Sequence, residues 1–244
     1  MENSIVRDVE KIIKENINLV EIDGEKYSNQ DLKLVRHIDK ASSIVFNDLS
    51  SIVSMIKNEA DRFKLPLYIN IESETSVSVL TSMDDYKGRE NPYIAKYDNK
   101  TFRFGSYYSY EDFVIALRSQ FVQNEDTQNL LEALKKITNS NNVEVADDGI
   151  TQKVTMQQGA ALASTAKVAP IRKLLPYRIF NEVAQPASEF LFRIRRGGGD
   201  YGGDYALYEA DGGAWKIEAK NNIKTYFAEN LAEEIEKGIV VIVG

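Results

Sequence analysis

Between Ser188 and Arg196 the chain alternates: Phe190, Phe192 and Ile194 fall on one parity, Leu191, Arg193 and Arg195 on the other. Successive side chains of a β-strand point to opposite faces, so this spacing calls for a strand with one apolar face buried and one cationic face turned outward. A helix would mix the two sets on every side. The glycine-rich run Gly197 to Gly203 then reads as a hairpin tip, and Asp204 to Ala210 as the returning partner strand.

Downstream, Ile223, Phe227, Leu231 and Ile235 predict a helix over Asn221 to Glu236, and Ile239 to Val243 is apolar at every position. Such a run predicts a buried strand covered on both sides. The segment between, Trp215 to Lys220, supports two readings. Trp-Ile-Ala alternates against Lys-Glu-Lys as a third strand would, and the same residues also fit the first turn of the helix.

In the first half, Ile5, Val9, Ile12 and Ile13 have helical spacing, and Leu19 to Tyr27 reads as a hairpin about Asp23-Gly24. Leu49, Ile52, Val53, Ile56, Ala60 and Phe63 predict an amphipathic helix stopped by Pro66. Leu67 to Ile71, Ser76 to Leu80, Tyr93 to Tyr97 and Thr101 to Phe104 predict an antiparallel meander. Ser109-x-x-Asp112 opens a helix carrying Phe113, Ala116, Leu117 and Phe121, and a second helix follows from about Asp126.

Residues 139–149 are Asn-, Ser- and Asp-rich and read as a loop; Thr151 to Gln158 returns to strand-like alternation; residues 159–169 fit a short helix or an extended connector. The fold class that results is α+β: mostly antiparallel sheet with packed helices and a buried C-terminal strand. An N-terminal α/β portion (1–140) and a C-terminal sheet-helix portion (141–244) are expected, either as two units or as one continuous domain.

The chain has 244 residues, no cysteine and a single histidine, His37, which excludes disulfides, thiolate metal sites, a cysteine nucleophile and multi-histidine zinc sites. No metal and no cofactor are expected. A net charge of −7 disfavours duplex nucleic acid as a partner, and no apolar run approaches the roughly 20 residues needed to span a bilayer, so no membrane partner is expected. With no signal-like N-terminus, the composition points to the cytoplasm.

Two clusters carry candidate chemistry. Arg178, Arg193, Arg195 and Arg196 lie near Tyr177, Tyr201, Tyr205 and Tyr208, and guanidinium forks with aromatic faces suit a nucleotide or a single-stranded nucleic acid; Arg178, Arg193 and Arg195 with Tyr205 and Tyr208 are the expected ligand site, one that subunits of a homo-oligomer could share. The competing reading is a solvated hairpin face on which cations and rings cover each other. The second cluster is Glu218-Ala-Lys220 with Asp204 before it, the order of acids and lysine in Mg²⁺-dependent nucleases of the restriction-endonuclease type. Against it, Glu-x-Lys is a common tripeptide and the Pro-Asp expected before the first acid is absent, so the three side chains are not expected to converge.

Asp147-Asp-Gly-Ile-Thr-Gln152, Leu175-Pro-Tyr-Arg178, Gln185-Pro, Phe190-Leu-Phe-Arg193 and Glu209-Ala-Asp-Gly-Gly-Ala-Trp215 together resemble a YfdQ-like phage and prophage family. The resemblance extends over most of the chain. It implies a phage-encoded protein of the host cytoplasm, in a family without an assigned activity. On that basis the expected function is a non-catalytic binding protein that counters host antiviral defence by sequestering a nucleotide-derived signal. The alternatives are a nucleic-acid-associated early phage protein, such as the Mg²⁺-dependent nuclease, and a protein inhibitor of a host defence enzyme.

Overall fold

The computed structural model describes residues 19–22, 25–28, 42–85, 87–138, 142–147, 152–158, 161–168, 171–195 and 203–244. The chain divides into two compact units, Met1–Lys40 and Ala41–Gly244. In the first, β1 (Leu19–Ile22) and β2 (Glu25–Ser28) pair antiparallel, Leu19 opposite Ser28, as the Asp23-Gly24 signal predicts. The helix expected over residues 5–16 lies outside the described residues.

The second unit begins with β3 (Ile44–Phe46), α1 (Leu49–Glu59), β4 (Leu67–Ser73), β5 (Ser76–Leu80), β6 (Tyr93–Lys96), α2 (Tyr110–Gln120) and α3 (Glu125–Thr138). It continues through β7 (Asn142–Asp147), β8 (Gln152–Gln158), β9 (Ala161–Val168), β10 (Ile171–Leu174), β11 (Ser188–Arg195), β12 (Asp204–Glu209), α4 (Trp215–Asn230), α5 (Ala232–Glu236) and β13 (Val240–Val243). The architecture is α+β. A five-stranded sheet has the order β13-β4-β5-β6-β3, an antiparallel meander with a parallel strand added at each edge. The other two sheets, β10-β11-β12 and β7-β8-β9, are antiparallel.

Register explains the first core. Ile69 lies opposite Val79 and Val79 opposite Tyr93, while Ile71 lies opposite Val77 and Val77 opposite Ala95, so all of these share one face. On that face α1 buries Leu49, Ile52, Val53 and Ile56, and α4 buries Trp215, Ala219, Ile223 and Phe227. The α4 stripe recurs every four residues, which is what settles Trp215 to Lys220 as helix and not strand. Ile217, which the strand reading placed with Trp215 and Ala219, is 70% exposed. The predicted single helix ends at Leu231, whose backbone (φ −120°, ψ 28°) breaks it from α5 while its side chain stays in the core.

The C-terminal apolar run does enter the main sheet, but as its edge strand, parallel to β4. Val240 is fully buried, Ile242 and Val243 are half-buried and Val241 is exposed, because the helices cover one face only. This pairing joins segments from both sides of residue 140. Two further expectations are corrected. Thr101 to Phe104 forms no strand; Phe102 instead leaves the first sheet and packs between Tyr108, Phe113 and Phe121. The polar stretch expected to be loop contains β7, and residues 161–168 take the extended alternative as β9.

The second core forms where α2 and α3 cover one face of β10-β11-β12, with Phe113, Leu117, Leu130 and Leu134 meeting Phe190, Phe192 and Leu207. Ser109 caps α2 as predicted, accepting from the Asp112 N–H at 3.2 Å. Among the described residues no helix is long and apolar enough to cross a membrane.

The start of α1 yields a test. Asp48 Oδ1 accepts from the Ser51 N–H at 2.7 Å, and Glu182 Oε1 from the Leu49 N–H at 2.7 Å, so separate carboxylates satisfy separate orphan donors. Burial pushes the Asp48 carboxyl up, but the Ser51 N–H and the Ser50 and Ser51 hydroxyls outweigh it and leave it below its ordinary value. A carboxyl with a depressed folded pKa stabilises above its unfolded value and loses that contribution as pH falls through the folded one. Asp48→Ala is therefore expected to cost about 1 kcal/mol at neutral pH. In thermal melts the gap to the wild type should narrow as the pH falls below the ordinary carboxyl range.

Candidate functional site

The β11–β12 register sorts the candidate residues. Arg195 lies opposite Asp204, Ile194 opposite Tyr205, Arg193 opposite Ala206, Phe192 opposite Leu207 and Leu191 opposite Tyr208. Phe190, Phe192, Ile194, Tyr205 and Leu207 therefore face the second core, while Leu191, Arg193, Arg195, Asp204, Ala206 and Tyr208 face away from it. Tyr205 is fully buried, its ring stacked on Phe113 at 5.7 Å and Phe192 at 6.2 Å. It belongs to the core, and Tyr208 to the outer face.

The outer face gains a residue from elsewhere in the chain. Residues 105–108 run along the free edge of β12: the Gly105 N–H donates to Leu207 O at 2.8 Å, and Tyr108 and Tyr205 exchange N–H···O bonds of 2.9 Å. Tyr108 shares the parity of Tyr205, so Tyr107 falls on the outer face beside Ala206, whose small side chain leaves room for it. The Arg195 guanidinium carbon sits 4.1 Å from the Tyr107 ring centroid, and the Tyr208 ring meets Tyr107 edge-on at 6.5 Å. Burial and a hydrogen bond with Tyr208 raise the Tyr107 phenol, and the nearby Arg195 and Arg193 charges oppose that shift.

The two arginines differ in charge balance. Arg195 forms an ion pair with Asp204 at 3.0 Å. Among the described residues no carboxylate pairs with Arg193, and its Nη1 is out of contact with water and without a hydrogen-bond partner. An unmatched guanidinium nitrogen is costly, and a turn of the side chain toward an anion on the open face would remove the deficit.

Arg178 is separate from this group. It approaches Ser188 and Phe190, which point to the core side of β11. Its guanidinium carbon lies 3.5 Å from the centre of the Trp215 ring, and its Nη1 donates to Glu209 at 2.8 Å. Burial pushes its pKa down to about 10, against the pull of Glu209 and Asp211, so it stays charged at neutral pH. The expected five-residue site therefore resolves into Arg193, Arg195 and Tyr208 on one face, joined by Tyr107, with Arg178 and Tyr205 as internal packing groups.

The nuclease-like residues occupy separate elements. Asp204 opens β12 and is engaged by Arg195; Glu218 and Lys220 stand on α4, where the Lys220 ammonium donates to the Glu72 carbonyl at 3.2 Å. Among the described residues no group of three His, Cys, Asp or Glu side chains is placed to hold a metal ion.

An open groove lies apart from this face. It measures about 680 Å³ and is lined by Tyr97, Asn99, Lys100, Ser119, Gln120, Tyr177 and Asn181. In the sequence Asp98-Asn99-Lys100 reads only as a turn between Tyr93 to Tyr97 and Thr101 to Phe104. Tyr107 carried no signal at all, because Ser106-Tyr-Tyr-Ser109 has no alternation to place it and its position depends on a long-range bridge to β12. Compared with protein-family models, curated proteins and solved structures, the chain matches none.

Proposed function

We propose that the outer face of β11 and β12 binds a phosphate-bearing aromatic ligand of the nucleotide type and holds it without chemical change. The observation that supports this most is Arg193, which pairs with no carboxylate among the described residues and shares its sheet face with Arg195, Tyr107 and Tyr208. Guanidinium forks take phosphate oxygens bidentately, and phenol rings offer stacking area to a base. The resemblance to phage proteins supplies the setting, in which such retention would withdraw a nucleotide-derived defence signal in the host cytoplasm. A second copy of the chain closing over the open face would turn it into a pocket. The exposure of Arg195, 57% of its side chain, also favours a second reading, an extended single-stranded nucleic acid laid across the same groups.

Calorimetric titration with cyclic dinucleotides, nucleoside triphosphates and a short single-stranded oligonucleotide tests both readings. Arg193→Ala is expected to weaken binding at least about tenfold, the loss of one charge-assisted contact, with the melting temperature held. Preference for the oligonucleotide, with a steep salt dependence, selects the second reading. If none of the probes binds, or if Arg193→Ala binds as the wild type does, the proposal fails.

A further inference from the structure

We propose that the groove between the end of β6 and the C-terminal end of α2 is a second, separate binding site, for a planar hydrogen-bonding ring that carries one negative group. Nucleoside monophosphates and aromatic carboxylates share this chemistry. The groove is bounded by the loop after β6 (Tyr97, Asn99, Lys100), the end of α2 (Ser119, Gln120) and the segment after β10 (Tyr177, Asn181). At about 680 Å³ it falls within the roughly 300–1,000 Å³ range of small-molecule sites.

The lining specifies the ligand. Tyr97 is held by its N–H to Thr75 O at 3.0 Å and by edge-on contact with Phe180 at 6.0 Å, so its ring is a fixed wall. Tyr177 is fixed by its N–H to Gln120 O at 2.8 Å, yet 36% of the residue remains exposed, an aromatic surface available for stacking. Asn99, Gln120 and Asn181 offer amide donors and acceptors, and Gln120 Oε1 is shielded from water and has no hydrogen-bond partner among the described residues. Rotation of that terminal amide toward the groove would satisfy it through a ligand N–H. Lys100 supplies the charge. It has no ion-pair partner among the described residues, and the residues that line the groove include no carboxylate, Asp98 of the same loop lining the adjoining groove instead.

This site is independent of the face described above. Tyr107 and Arg195 lie near the start of α2 and the groove at its end, and a helix of 11 residues spans about 16 Å. Variants at one site should therefore leave the other intact.

Four probes separate the required features: adenosine monophosphate (ring and phosphate), benzoate (ring and carboxylate), adenosine (ring alone) and inorganic phosphate (charge alone). Titrations followed by calorimetry and by the NMR signal of the Gln120 side-chain amide are expected to show saturable binding of one of the first two. Adenosine and phosphate should each bind at least tenfold more weakly, and whichever charged probe binds identifies the source of the anion. Tyr177→Ala and Lys100→Ala should each weaken binding about tenfold, while Arg193→Ala should not change it. Absence of saturable binding by both ring anions, or affinity that follows Arg193 and ignores Tyr177 and Lys100, overturns the proposal.

Discussion

Arg178→Ala is expected to destabilise the fold by about 3 kcal/mol, measured as a lowered urea midpoint at unchanged slope. The guanidinium lies 3.5 Å from the Trp215 ring centre, with the Phe104 and Phe190 rings at 6.0 and 5.8 Å, and it is almost wholly shielded from water. A desolvated cation–π contact is worth about 2 kcal/mol and a hydrogen bond to a charged group about 1.5–3. Truncation removes both and leaves Ser188 Oγ, buried, without its guanidinium donor. The loss stays below the full sum because Glu209 is 43% exposed and regains water when its partner goes. Arg178→Met should cost roughly half as much, since a flexible apolar chain still covers Trp215.

The position of Arg178 explains why its replacement should be felt broadly. Trp215 belongs to the first core, Phe104 and Phe190 to the second, and this one side chain touches all three. Gln185 fixes its backbone: Oε1 accepts from the Arg178 N–H at 3.1 Å, and Nε2 donates to the carbonyls of Ile179 and Phe180 at 3.2 and 3.1 Å. An Arg178→Ala protein whose unfolding free energy changed by less than about 0.5 kcal/mol would show that the two cores hold together without this contact.

Legibility in the sequence followed the range of the interaction. The alternation in Ser188 to Arg195 correctly put Arg193 and Arg195 on one face, because period-two patterning is local. Parity also separates Tyr205 from Tyr208, three residues apart, once β12 is known to be a strand. Arg178 could not be placed this way. It sits in an irregular segment, and its partners Trp215 and Glu209 are far along the chain, so only its residue type spoke for a surface role. Trp215 to Lys220 satisfied both periods over its first residues, and the stripe that decides it, Ala219 through Ile223 to Phe227, extends past the ambiguous window. The C-terminal run announced burial through hydrophobicity alone, which cannot say that β13 would sit at a sheet edge with Val241 turned outward.

Phe113→Ala should produce the largest single loss, about 3–5 kcal/mol, the range for truncating a fully buried aromatic side chain. Phe113 is completely shielded and its ring touches those of Phe102, Tyr108, Phe192 and Tyr205, at centroid distances of 5.9, 6.1, 6.0 and 5.7 Å. Rings on four sides leave little freedom to collapse into the cavity, so the cost belongs at the upper part of that range. The consequence reaches the candidate face. Tyr108 and Tyr205 form the bridge that carries Tyr107 to its place over Arg195, and both rings rest on Phe113. Phe113→Ala should therefore disorder the Tyr107 and Arg195 pair as well as lower the melting point, whereas Phe113→Leu should keep the pair while losing part of the stability. Hydrogen exchange reads this directly: the Tyr108 and Tyr205 amides should exchange faster in Phe113→Ala, and the Ile69 and Val79 amides of the five-stranded sheet should change less. Equal acceleration in both sheets would mean that the two cores unfold as one unit and that the face has no local stability of its own.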